Sequence, residues 1–114
     1  QGNNFVERFD ANACLYLIRA MDYYDAAQRW GEGDLVAACR RLKSEMVVAG
    51  FSSDWLHTPD GARELVHSIC RTGKPVTYVD VPSQYGHDAF LVETDRVGRI
   101  LRGALKKRAE ATAK

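Results

Sequence analysis

A chain of 114 residues has room for one domain at most, or a part of one. Hydrophobic residues at 46% and charged residues at 27% make an ordinary globular composition, and a formal net charge of +1 gives no reason to expect nucleic acid or an acidic partner. No apolar run approaches the roughly 18 residues of a membrane-spanning helix, and no signal-peptide pattern opens the chain. Cys14, Cys39 and Cys70 are odd in number, widely spaced and without a C-x-x-C pair, which points to a reduced, cytoplasmic chain with buried thiols. Opening on Gln1 rather than Met suggests a processed product, an engineered boundary or a fragment.

Asp10 is read as the N-cap of a helix running to about Tyr24, with Cys14, Leu17, Ile18 and Met21 at helical spacing and Leu15 widening the stripe. The aromatic group Tyr16, Tyr23, Tyr24 and Trp30 is expected to pack on another helix or a partner subunit rather than on a ligand. Gly31-Glu32-Gly33 breaks the pattern, and Asp34 caps a second helix that buries Leu35, Val36, Cys39 and Leu42. The apolar run Met46 to Phe51 suits a parallel strand covered on both faces. Thr58-Pro59 starts a third helix with an amphipathic stripe of Ala62, Leu65, Val66 and Ile69, and Gly73 ends it in a left-handed conformation. Cys70 is expected on the buried face of that helix. Pro75 introduces a second strand, Val76 to Val81, and Pro82 stops it. Thr94-Asp95 opens the last helix, with Val97, Ile100, Leu101, Ala104 and Leu105 facing inward. The basic residues Arg102, Lys106, Lys107, Arg108 and Lys114 form its solvated end, and the tail frays from Ala109.

The fold class is therefore α/β, a strand–helix–strand–helix unit of a parallel sheet preceded by helices. Two parallel strands cannot cover their own outer edges, so the stretch from Met46 onward is expected to be one end of a larger sheet whose other strands lie outside this chain. The divisions are 1–44, helical; 45–108, the α/β core; and 109–114, a tail.

Each strand is followed by an ionisable residue, Asp54 after the first and His87 after the second. A right-handed crossover sends both carboxyl ends to one edge of the sheet, so the two residues come within side-chain reach if the strands are neighbours. A carboxylate beside an imidazole is two-thirds of a hydrolase-type triad. Asp54 has two open readings, a turn residue that caps backbone amides or a half-desolvated functional carboxylate. His87 follows Gly86, which permits an unusual backbone angle, and the order Asp then His fits the Ser…Asp…His order of α/β-hydrolases. His57 is a candidate pocket residue, whereas His67 falls on the third helix and is expected to be solvated. No residue spacing suggests a metal site or a phosphate-binding loop. There is no G-x-S-x-G, and Ser52 and Ser53 lack the glycine-flanked elbow of an activated nucleophile.

Arg8-Phe9-Asp10-Ala11-Asn12, the helix around Tyr16-Leu17 and Ala20-Met21-Asp22, Phe51-Ser52-Ser53-Asp54-Trp55-Leu56, Arg63-Glu64-Leu65 and Tyr85-Gly86-His87-Asp88-Ala89-Phe90-Leu91 together resemble the homoserine O-acetyltransferases. The resemblance runs from about Phe5 to Leu105 and corresponds to the C-terminal third of such an enzyme. It implies the C-terminal part of an α/β-hydrolase fold, with 1–44 as a remnant of the helical lid and a connecting helix. Asp54 corresponds to the triad acid, His87 to the triad base, and Asp88 to the aspartate that holds the amino group of homoserine. The nucleophilic serine and the arginine that binds the substrate carboxylate belong to the rest of the enzyme, so this chain is expected to be inactive alone. The implied reaction moves an acetyl group from acetyl-CoA, a substrate rather than a cofactor, to L-homoserine in methionine biosynthesis. The implied partners are the serine-bearing remainder and a second copy met through the lid helices, with no nucleic acid and no membrane. This chain departs from the family at His57, where an aromatic is common. Alternatives are a hydrolase or acyltransferase with another donor, such as a succinyl thioester, or another acceptor, and a non-catalytic interaction module.

Overall fold

The computed structural model describes residues 10–112; Arg8, Phe9 and Lys114, and the side chains of Lys107 and Arg108, lie outside the described residues. Two compact units divide the chain, one ending at Ala38 and the other starting at Cys39.

In the first unit, α1 spans Ala11–Asp22, and the Asp10 carboxylate accepts from the amides of Asn12 at 2.6 Å and Ala13 at 3.4 Å. That cap satisfies two of the amide groups a helix start leaves without partners. Leu15, Leu17, Ile18 and Met21 are all exposed along α1. A further helix, α2 (Ala26–Gly31), was not expected from the pattern. Asp25 caps it through the amide of Gln28 at 3.0 Å, and Glu32 ends it in the left-handed region at φ 53°. α3 (Leu35–Cys39) is capped by Asp34 through the amide of Val36 at 2.8 Å and stops before the expected Leu42. Beyond it, the carbonyls of Cys39, Arg40 and Leu42 accept from the Lys74 ammonium, which replaces the amides that a longer helix would supply.

The second unit is built on β1 (Met46–Phe51) and β2 (Val76–Val81), parallel and in unbroken register from Met46↔Val76 to Phe51↔Val81. α4 (Pro59–Cys70) joins them and packs on both. Thr58 caps it through the amide of Gly61 at 3.2 Å, with Pro59 in the first turn, where a missing N–H costs nothing. Ile69 is fully buried, and Gly73, at φ +76°, turns the chain away after the helix. α5 (Ala89–Val92) and the long α6 (Thr94–Thr112) follow β2. Phe51, Val81 and Ala89 form a core against which Val79, Val97 and Ile100 pack. Strand alternation sends Tyr78 and Asp80 to the opposite face, where Arg63 of α4 lies 5.9 Å from the Tyr78 ring.

Several expectations are corrected. Cys70 is exposed rather than buried, because it closes α4 on the side away from Ile69. Leu101 and Leu105 are exposed, the latter at 68%, since two strands offer α6 too narrow a surface to cover its whole apolar stripe. β1 is not covered on both faces: Val47 and Ala49 are exposed. α6 continues through Ala109 to Thr112, where a fraying tail was expected. Among the described residues no helix is long and apolar enough to cross a membrane.

Gly50 is where the sheet admits no side chain. A Cβ there would sit 2.5 Å from the Tyr78 hydroxyl and 3.3 Å from its ring. Gly50→Ala is expected to push Tyr78 from its contacts with Asp80 and Arg63 and to destabilise the chain by about 1–3 kcal/mol. Much of that loss should vanish when the same change is made in a Tyr78→Ala background, which a double-mutant cycle in urea measures.

Candidate active site

The register brings Phe51 and Val81 side by side, so both strands finish at one edge. The ladder extends one step further, with the Ser52 amide donating to the Val81 carbonyl at 3.0 Å. Then three consecutive side chains each reach across to the segment after β2. The Ser52 hydroxyl donates to the Ser83 carbonyl and accepts from the Ser83 amide, both at 3.0 Å. Ser53 Oγ accepts from the Gly86 amide at 2.9 Å. Asp54 Oδ2 lies 3.1 Å from His87 Nδ1. The two strand ends are thus stitched together at three successive points.

His87 sits in a short 3₁₀ turn, Gly86–Asp88, entered through Gly86 at φ +59°, a backbone angle that a residue with a Cβ adopts only at a cost. Below the turn, Ala89 is 0% exposed and anchors it to the core. Arg96 of α6 donates to the Pro82 carbonyl and pairs with Glu93 at 3.4 Å, which holds the start of the same segment.

Asp54 is 7% exposed. Its Oδ1 accepts from the amides of Leu56 and His57, both at 2.9 Å, while Oδ2 faces the imidazole. The two sequence readings therefore coexist, one on each oxygen. Burial pushes this carboxyl up, but the amide of His57, the His87 ring and the amide of Leu56 outweigh it and hold the group below its ordinary 3.8. An ionised carboxylate only accepts, so Nδ1 of a neutral His87 carries the proton and Nε2 is left as a base.

Asp54, His57 and His87 line one open groove of about 730 Å³, whose other walls include Phe51, Leu65 and Phe90. The His87 ring stands edge-on to His57 with centroids 5.1 Å apart, and edge-on to Phe90 at 5.7 Å. Asp88 is exposed, is not among the lining residues, and its side chain caps no helix. His67 is exposed on α4. Ser52 and Ser53 spend their hydroxyls on the facing segment. Phe90 and the Ser53–Gly86 contact went unread in the sequence, although Ser-Ser-Asp directly after a strand is a run of three side chains able to bond backbone. Among the described residues no group of three or more His, Cys, Asp or Glu is arranged to hold a metal ion.

Because the fold holds Asp54 ionised more firmly than the unfolded chain does, its contribution is complete above the ordinary value of 3.8 and is lost as pH falls through the lower folded value. Urea unfolding between pH 7 and pH 2.5 should therefore show stability declining at the acid end. Asp54→Asn should be less stable at neutral pH and show a shallower decline.

No protein-family model matches the chain. Curated relatives do. It is 44% identical over 103 residues to a homoserine O-succinyltransferase of Halothiobacillus neapolitanus, covering 90% of this chain and 25% of the relative. A homoserine O-acetyltransferase of Geotalea daltonii is 47% identical over 106 residues, 93% of this chain and 28% of the relative. Another homoserine O-acetyltransferase, of Gluconobacter oxydans, is 43% identical over 113 residues, 99% of this chain and 28% of its own length. The chain spans little more than a quarter of these relatives, whose names divide between two acyl groups. By sequence, it belongs to the homoserine O-acyltransferase family.

Proposed function

We propose that this chain supplies the acid and the base of a Ser-Asp-His acyltransferase that acylates the hydroxyl of L-homoserine, and that it forms the C-terminal part of an α/β-hydrolase fold. The observation that carries this reading is the 3.1 Å contact between Asp54 Oδ2 and His87 Nδ1 at the shared end of two parallel strands. Nucleophilic serine and the arginine for the substrate carboxylate come from the remainder of the enzyme. The exposed sheet residues Val47 and Ala49 support the presence of such a remainder, since a parallel strand normally has both faces covered.

The reaction proceeds in two halves. The serine hydroxyl attacks the thioester carbon of an acyl-CoA while His87 Nε2 takes its proton, and backbone amides stabilise the oxyanion. The C–S bond breaks, His87 returns the proton to the leaving thiolate, and an acyl-serine remains. Homoserine's hydroxyl, deprotonated by the same nitrogen, then attacks the acyl-serine in place of water, and the serine regains its proton. Asp54 fixes the tautomer that leaves Nε2 basic and stabilises the imidazolium formed in each half. Asp88, the exposed neighbour of His87, holds the amino group of homoserine. Acetyl-CoA is the donor of this reading; the relatives named for succinyl transfer support succinyl-CoA as the second. The apolar residues exposed on α1 support a dimer formed through the lid helices.

In the full-length enzyme, Asp54→Asn should lower kcat by about 10⁴-fold while the circular dichroism spectrum is retained. Steady-state assays with acetyl-CoA and succinyl-CoA in parallel identify the donor. Retention of most activity in that variant would remove Asp54 from the triad.

A further inference from the structure

On the acyl-transfer reading above, we infer that His57 is a positioning residue for His87. The Asp54 carboxylate joins the two histidines. Its Oδ1 receives the His57 amide at 2.9 Å, and its Oδ2 holds His87 Nδ1 at 3.1 Å. The same turn that buries Asp54 thus brings the His57 ring to the His87 ring, 5.1 Å between centroids and 65° between planes. Phe90 meets His87 at 5.7 Å and 64°. Both pairs have the edge-to-face geometry that aromatic rings favour. Nδ1 is pinned at one end and two rings stand edge-on to the imidazole, so the direction of Nε2 is set by His57 and Phe90 together. Removing either ring leaves His87 able to pivot about its Asp54 contact.

Two variants of the full-length enzyme separate the roles. His57→Ala should lower kcat roughly tenfold with KM little changed, as expected when a reacting group is loosely aimed. His57→Phe, which keeps a ring edge-on to His87, should return kcat to within about twofold of the parent. An Ala variant with unchanged kcat, or a Phe variant that fails to restore it, overturns the inference. Histidine ¹³C NMR of the same proteins gives a readout independent of turnover: His57→Ala should shift the ring-carbon resonances of His87 as the imidazole gains freedom to pivot. A parent enzyme that does not acylate homoserine but shows this shift would fail the acyl-transfer reading alone and leave the contact standing.

Discussion

The Asp54 carboxylate is shared between two demands, and the arrangement around it follows from that division. One oxygen closes the turn after β1 by accepting the amides of Leu56 and His57; the other receives a ring nitrogen from 33 positions later. A buried carboxylate left without partners would protonate or swing to solvent. Here the desolvation is offset on both sides, so the group stays charged, buried and fixed. A fixed acceptor in turn leaves the imidazole one orientation and one tautomer.

What holds the other side of that contact is backbone bonding more than apolar packing. The core beneath is small: Phe51, Val81 and Ala89, with Val79, Val97 and Ile100 against them. Above it, Ser52, Ser53 and Arg96 bond main-chain groups of Pro82, Ser83 and Gly86. These are directional bonds between short side chains and backbone, which fix position more tightly than burial of the same area would. Gly86, at φ +59°, turns its amide to Ser53 while the next residue meets Asp54.

Both strands could be read from the sequence to their last residues, because an apolar or β-branched run between prolines, glycines and polar residues is a local pattern. The convergence of Asp54 and His87 followed from topology, since parallel strands joined by one helix end together. α2 escaped because six residues are too few for a hydrophobic period, although Asp25 and Gln28 stand at capping-box spacing. α5 escaped for the same reason. Leu101, Leu105 and Cys70 were misread because an apolar stripe records what a helix face is able to bury, and the surface available to cover it is decided by elements far along the chain, or outside it. The side chains of Ser52 and Ser53 carry no period at all, and their roles emerge only once Ser83 and Gly86 are beside them.

The unbroken pairing from Met46↔Val76 to Phe51↔Val81 carries a consequence for how this segment tolerates change in length. Ser52, Ser53 and Asp54 lie in a turn beyond the strand and bond the facing segment in consecutive order, so gaining one residue directly after Phe51 would move each later stitch along by one. Ser53 would meet what Asp54 now meets. Insertions and deletions are therefore excluded from the three positions after β1, while the solvent-facing turn at Gly73, with no neighbouring atom within 4 Å of a would-be Cβ, is open to them.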